Sequence, residues 1–386
     1  MALDLSGGVA ETLPGAQIIV WCDAPKGRVA GVELWRRAVY TACRAGFQRL
    51  IIVAPGRVEE VRSSLADDPR LEGRRWEVVT PGESWAARVV AAGGRWVLLQ
   101  DRWVVDATHL RDLAATTRGR AASSPEGPIV ADATDVVGIA GQVWSLTHAA
   151  PSLDRVLESP LLYVEIKLPP DLRRAEDALF QGLARNVTNF FARTIDRPMS
   201  RAISRVLAPW PITPNQITIF SIGLGIVGAL CLLRPTYSFG LLGSFLFLLS
   251  TIVDGCDGEI ARLKFQESAA GARLDVIGDN VVHAVLFPCV AVHAYRGDPS
   301  GPYLWLGAWA FAGVIVTWLA IYWIIVRGTP SKSVLAFFET FGNREFAYLF
   351  FFLGVIGKLH WFVWMMPFGL WVFPIGLFVL DRFGRR

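Results

Sequence analysis

Hydrophobic and polar positions divide the chain into two regimes. Up to about residue 180, short apolar runs alternate with segments of helical period. Gln17-Ile18-Ile19-Val20-Trp21 and Arg49-Leu50-Ile51-Ile52-Val53 read as buried strands, and residues 76–80 and 96–100 as two more. Residues 32–45 and 58–65 carry a helical period, the first closed by Gly46. This alternation predicts a layered α/β domain with a mostly parallel sheet over residues 1–180. From 181 to 210 the character changes: Arg193, Arg197, Arg201 and Arg205 recur every four residues. Phe190, Ile195, Met199, Ile203 and Val206 lie between them, and Asp196-Arg197-Pro198 reads as a helix restart. The expectation is an amphipathic juxtamembrane segment whose arginine stripe faces anionic headgroups. Beyond residue 211, six apolar stretches follow at 214–233, 239–256, 274–295, 302–326, 344–359 and 361–380. Spans near the ~20 residues that cross a bilayer predict a six-helix transmembrane α-bundle over 211–386.

Composition sharpens this division. Of the 72 Asp, Glu, Lys and Arg residues, 50 lie in 1–210 and 22 in 211–386. Fifteen tryptophans fit aromatic belts at the headgroup level. A simple cytosolic enzyme, a secreted disulfide scaffold and a disordered chain are excluded. The five cysteines, at 22, 43, 231, 256 and 289, form no metal-type pair. A net charge of +4 points to no nucleic-acid partner. Met1-Ala2-Leu3-Asp4-Leu5 starts no signal-peptide pattern, so the first half is expected to stay in the cytoplasm. With six crossings, nine basic residues (Arg262, Lys264, Arg273, Arg327, Lys332, Arg344, Arg382, Arg385, Arg386) fall on one side and three (Arg234, Arg296, Lys358) on the other. The positive-inside bias then puts both termini and the active site on the cytoplasmic face of a multi-pass protein of the inner or plasma membrane.

The chemistry is concentrated between the second and third stretches. Asp254 and Asp257 are spaced i,i+3, and Asp275 and Asp279 i,i+4, so each pair shares one helix face. Two neighbouring helices would aim four carboxylates at one another near the interface. Such a cluster needs cations, and hard oxygen ligands suit Mg²⁺ or Mn²⁺, two ions sharing the carboxylates. A metal pair of this kind clamps a diphosphate. Gly258 and Gly271 leave room for a phosphate or nucleotide at the backbone, and Arg262 can neutralise phosphate oxygens. A transporter could also use intramembrane carboxylates, but would need neither Gly258 nor Arg262 at this spacing.

The order Asp254-x2-Asp257-Gly258-x2-Ala261-Arg262-x8-Gly271-x3-Asp275-x3-Asp279 resembles the signature of the CDP-alcohol phosphotransferase family at all eight positions. Pro211-Ile212-Thr213-Pro214-Asn215-Gln216-Ile217-Thr218 is similar to the family's usual approach to its first membrane helix. The resemblance covers roughly residues 190–386. It implies six membrane helices, a homodimer, and transfer of a phosphoalcohol from a CDP-alcohol to a hydroxyl with release of CMP. By that resemblance Asp254, Asp257, Asp275 and Asp279 hold the metals, and Asp279 also serves as general base. Gly258, Ala261, Arg262 and Gly271, with Thr213 and Asn215, contact the CDP part. A site at lipid depth favours CDP-diacylglycerol as donor and a phospholipid as product.

The remaining signals are weaker. Arg327, Lys332 and Arg344 are the candidate acceptor-binding cations, each equally readable as a positive-inside anchor. Arg344, opening the fifth segment in Gly342-Asn343-Arg344-Glu345-Phe346, is the leading candidate for an acceptor phosphate, which would favour an inositol-phosphate-like alcohol. His283 lies four residues after Asp279 and reads as a packing or supporting residue, while His293 and His360 read as structural. The first half resembles the Rossmann-like nucleotidyltransferase domain fused to some family members, including the inositol-phosphate cytidylyltransferase fusions. The similar stretches are Ala24-Pro25-Lys26, 31–46, 49–53 and Leu98-Leu99-Gln100-Asp101. Trp21-Cys22-Asp23-Ala24-Pro25-Lys26-Gly27-Arg28 lacks the repeated glycines of an active phosphate loop. Asp101 stands at the usual metal-ligand position, and the second acid falls near Val164-Glu165-Ile166-Lys167. The expectation is a degenerate domain; the alternative is a bifunctional chain that makes and uses a soluble CDP-alcohol such as CDP-inositol.

Overall fold

The computed structural model describes residues 15–23, 27–115, 121–122, 127–144, 155–156, 163–183, 192–327, 331–341 and 346–384. The chain divides into two compact units, Gly8–Arg185 and Asn186–Arg386.

The strands of the first unit are β1 (Gln17–Trp21), β2 (Arg28–Val29), β3 (Val32–Glu33), β4 (Arg49–Val53), β5 (Arg75–Val79), β6 (Arg95–Gln100), β7 (Trp103–Val105), β8 (Ala121–Ala122), β9 (Ile129–Asp132), β10 (Arg155–Val156) and β11 (Tyr163–Glu165). Its helices are α1 (Leu34–Ala45), α2 (Val58–Leu65), α3 (Glu83–Ala92), α4 (Ala107–Ala114), α5 (Ala133–Trp144) and α6 (Pro169–Gly182). The main sheet runs β10-β8-β9-β6-β1-β4-β5. β6, β1, β4 and β5 are mutually parallel. Ile18, Ile19, Val20 and Leu50 to Val53 are wholly buried, as expected where helices cover both faces. Toward the other edge β9 runs antiparallel to both β6 and β8, while the edge strand β10 is parallel to β8, so the sheet is mixed. The helix expected from residue 32 begins at Leu34, because Val32 and Glu33 pair with Arg28 and Val29 in a hairpin. Its tight turn is made by Ala30 and Gly31, both at positive φ. α1 does end where Gly46 predicts: Gly46 is left-handed and its N–H reaches the carbonyls of Ala42 and Cys43.

The second unit is helical: α7 (Arg197–Leu207), preceded by a π turn at Ala192–Asp196, then α8 (Pro214–Cys231), α9 (Tyr237–Lys264), α10 (Ala269–Gly297), α11 (Tyr303–Ile321), α12 (Lys332–Phe341), α13 (Phe346–Val355) and α14 (Leu359–Gly384). Five helices are long and apolar enough to cross a membrane: Pro214–Cys231, Tyr237–Lys264, Ala269–Gly297, Tyr303–Ile324 and Leu359–Phe383. The six crossings expected are thus five of full length among the described residues. Of the fifth expected segment, 344–359, the described residues include α13, ten residues and about 15 Å; residues 344 and 345 lie outside the described residues. α13 stops before Gly357, whose φ of +68° breaks the helical path ahead of α14.

α8 and α9 meet through glycines. A Cβ on Gly243 would lie 2.7 Å from the Gly228 carbonyl oxygen, and one on Gly228 would lie 2.9 Å from that of Gly243. This close approach sets α8 beside the acidic end of α9. Leu286, Val290, Phe350 and Val363 anchor the buried core around them. α9 has 28 residues, about 42 Å. The ~20 residues that suffice for a bilayer end near Cys256, so the last turns of α9 emerge at the interface. The second and third predicted segments are therefore too short at this end: both helices run on through the acidic motif.

α7 departs from the expected arginine stripe at one position, Arg197. Ser200 and Ser204 are buried while Met199 and Val206 are 45% and 67% exposed, so the helix packs on α9 by its serine face. Arg197 turns inward to Glu259 (3.3 Å) instead of facing headgroups. Arg193 is described only as backbone.

Candidate active site

The site is built where the C-terminal end of α9 meets the N-terminal end of α10. Asp254 and Asp257 are one turn apart on α9, and Asp275 lies nearly two turns into α10. Asp254, Asp257 and Asp275 each offer a carboxylate oxygen, and the three oxygens lie within 4.8 Å of one another. Asp254 and Asp257 are 8% and 9% exposed. Oxygens bound to one divalent ion at ~2.0–2.6 Å stand at most about 5 Å apart, so this set fits a hard cation. Asp279 sits one turn deeper on α10 and is half-buried; it shares a cavity with Asp254. The other walls of that cavity are Ser221, Ile222, Phe247, Ser250, Thr251, Val282 and His283. Three of the four predicted ligands thus gather in one cluster, with Asp279 adjoining it.

α8 supplies supports that do not stand out in the sequence. The Thr218 hydroxyl lies within hydrogen-bond reach of both Asp257 and the Pro214 carbonyl. One hydroxyl proton serves one acceptor, and the carboxylate is the stronger. The Ser221 hydroxyl lies 2.8 Å from the Thr218 carbonyl and 3.3 Å from Asp254 Oδ1, and Ser250 donates to the Ser221 carbonyl at 2.7 Å. The i,i+3 spacing of Thr218 and Ser221 puts both on one face of α8, and the glycine crossing turns that face to α9.

The predicted CDP-binding residues are brought to the same end. The Arg262 guanidinium lies over Gly258, where a Cβ would stand 3.5 Å from each of its terminal nitrogens. Ala261 lies between them, half-buried. A Cβ on Gly271 would lie 3.1 Å from Asn215 Oδ1, so glycine lets the starts of α8 and α10 approach. Thr213 caps α8 in a capping box with Gln216, and Ser268 caps α10 by accepting from the Gly271 N–H at 3.0 Å.

The acceptor candidates are a different matter. Arg327 is exposed, and its guanidinium lies 5.5 Å and 5.2 Å from the Tyr322 and Trp323 rings, the contacts of an interfacial anchor. Lys332 opens α12 with only its backbone described, and Arg344 lies outside the described residues. His283 sits among Phe247, Phe287 and Phe346 and also lines the cavity beside Asp279. His293 Nδ1 bonds the Leu232 carbonyl at 3.0 Å, and His360 packs against Tyr303 and Trp361.

In the first unit, Asp101 is buried after β6 and accepts the Asp23 N–H at 3.2 Å. Asp23 in turn holds Arg102 at 3.1 Å. Glu165 is opposite Trp103 in the β7–β11 pair and is bound by Lys167 at 2.8 Å. Ala24, Pro25 and Lys26 lie outside the described residues.

Residues 211–377 match the family model described as CDP-alcohol phosphatidyltransferase. A protein of Aquifex aeolicus named bifunctional IPC transferase and DIPP synthase is 30% identical over 162 residues, 42% of this chain and 36% of that one. A protein of the same name from Archaeoglobus fulgidus is 34% identical over 132 residues, 34% of this chain and 26% of that one. The matched stretches therefore span about a third or less of those relatives' length. A solved Bacillus anthracis chain assigned as a glucose-1-phosphate thymidylyltransferase aligns over 45% of this chain and 97% of its own, at 12% identity and a TM-score of 0.30, too low to carry any argument.

Proposed function

We propose, for a chain whose residues 211–377 form a CDP-alcohol phosphatidyltransferase domain, that it is an integral-membrane, divalent-metal-dependent phosphotransferase. It moves a phosphoalcohol from a CDP-alcohol to an acceptor hydroxyl and releases CMP. The observation that carries this reading is the approach of the Asp254, Asp257 and Asp275 oxygens to within 4.8 Å of one another, inside that domain. Those residues, with Asp279, would hold two Mg²⁺ or Mn²⁺ ions, which neutralise the diphosphate and polarise the phosphorus under attack.

The chain's own residues do the rest. Thr218 and Ser221 orient the Asp257 and Asp254 carboxylates. Arg262 over Gly258 meets the CDP phosphates, and Asn215 beside Gly271 lines the nucleotide. Asp279 takes the proton of the acceptor hydroxyl; the oxygen forms a new P–O bond at the β-phosphorus as the bond to CMP breaks. The donor is CDP-diacylglycerol and the acceptor an inositol-phosphate-like alcohol, a reading supported by the interfacial depth of the site and the resemblance of the fused architecture. With α13 counted beside the five longer helices as a sixth crossing, the nine-to-three distribution of basic residues supports a cytoplasmic site and cytoplasmic termini, and the family resemblance supports a homodimer. The test is purified protein with CDP-diacylglycerol, Mn²⁺ and a panel of alcohols and alcohol phosphates, assayed for released CMP; no release with any acceptor overturns the reading.

The names of the Aquifex and Archaeoglobus relatives favour a second reading equally: a bifunctional chain whose first unit makes the CDP-alcohol that the second consumes. The first unit has Asp101 at the expected metal-ligand position and an acid, Glu165, in the stretch where the second is expected, but lacks the glycines of a phosphate loop after β1. Incubation of the full chain with CTP and inositol phosphate separates the readings. Pyrophosphate release supports the bifunctional chain, and its absence supports a degenerate first unit.

A further inference from the structure

Glu259 is outside the eight signature positions, yet it is the most buried carboxylate beside the site, at 0% exposure. Its Oε1 accepts from the Ser200 hydroxyl at 2.7 Å and from Arg197 at 3.3 Å, both on α7. Among the described residues its Oε2 is buried and accepts no hydrogen bond. Burying a carboxylate is costly, and its pairing with Arg197 and Ser200 offsets only part of that cost. The pairing fixes the last turns of α9. One turn before Glu259, Gly255 admits Ser200, whose Cβ would stand 3.6 Å from a Cβ there, and Cys256 Sγ meets the Ser200 carbonyl at 3.4 Å. Five residues after Glu259, the buried Lys264 amine donates to the carbonyls of Trp210 and Ile212, at 2.5 and 3.1 Å. The segment from α7 to the start of α8 is thus pinned at both ends by buried charges on α9, and Arg262 projects from the turn between them.

Resting on the phosphotransferase reading above, we infer that Glu259 is a positioning residue: by clamping α7 onto α9 it holds Arg262 in register with the cytidine diphosphate. A purely structural role would weaken donor and acceptor use alike. A positioning role shows on the donor side.

The test uses the purified full chain with Mn²⁺, CDP binding measured by calorimetry, and steady-state kinetics with each substrate varied. Glu259→Gln is expected to raise the donor KM and the CDP dissociation constant by about tenfold, with the acceptor KM within about twofold, a scale typical of lost outer-shell support. Arg197→Gln combined with Glu259→Gln is expected to be no worse than Glu259→Gln alone, since both remove one interaction. If Glu259→Gln does not fold, Ser200→Ala carries the same donor-side expectation at a smaller magnitude. Equal rises in both KM values, unchanged CDP binding, or additive losses in the double variant overturn the inference. Asp257→Asn separates this from the reading beneath it: normal CDP binding in that variant overturns the metal-site reading itself, whatever Glu259 does.

Discussion

Thr218→Val tests whether α8 aims the metal ligands. The substitution keeps a β-branched side chain of similar shape and removes the hydroxyl that reaches the Asp257 carboxylate. A hydrogen bond to a charged group contributes about 1.5–3 kcal/mol. At 1.4 kcal/mol per tenfold, that is roughly ten- to a hundredfold in an equilibrium constant. Asp257 is only 9% exposed, so water cannot readily replace the lost donor. The effect should fall on metal affinity, because the hydroxyl orients the ligand rather than touching a substrate. The assay is CMP release as a function of Mn²⁺ concentration. The half-saturating Mn²⁺ concentration should rise by about ten- to a hundredfold, while the rate at saturating Mn²⁺ stays within a few-fold of wild type. Thr218→Ser, which keeps the hydroxyl, should behave like wild type. A Thr218→Val enzyme with unchanged metal dependence and a reduced maximal rate would refute the orienting role.

Three further outcomes are expected. Asp279→Asn should abolish CMP release, measured with radiolabelled donor, while CDP-lipid binding remains detectable; turnover near wild type would remove the base assignment. Gly243→Ala should destabilise the helical unit by about 1–3 kcal/mol, read as a lowered unfolding temperature in detergent, because its methyl meets the Gly228 carbonyl and cannot relax into a flexible side chain. In the first unit, burial holds the His109 pKa below 6.5, with Asp112 and Asp106 offsetting part of that effect. The unfolded chain then binds more protons as pH falls through 6.5 toward the folded value, so stability is lost in that window. Amide protection factors in α4, corrected for the intrinsic pH dependence of exchange, should fall as pH drops below about 6.5, and His109→Gln should flatten that dependence.

Much of this architecture is legible along the chain because local spacing carries it. Asp254 and Asp257, and Asp275 and Asp279, share helix faces by their spacing alone. Gly46 closes α1 by the conformation only glycine adopts readily. What the sequence conceals depends on partners far away in the chain. Arg193 to Arg205 and Ser200 with Ser204 both recur every four residues, so α7 has two candidate faces. The choice is made by Glu259 and Gly255, more than fifty residues on, which receive the serine face and draw Arg197 inward. Thr218 and Ser221 share a face that has no meaning until the Gly228–Gly243 contact turns it toward α9. At its far end the stretch 344–359 is also too long: the described helix α13 ends at Val355, before Gly357 at positive φ.

The most direct measurement is anomalous scattering from crystals of the full chain grown with Mn²⁺ and CDP. Manganese peaks are expected within about 2.5 Å of carboxylate oxygens of Asp254, Asp257 and Asp275, with the diphosphate in contact with the metal and Arg262 beside it. Diphosphate bound elsewhere, or manganese absent from those carboxylates while CDP is bound, would contradict it.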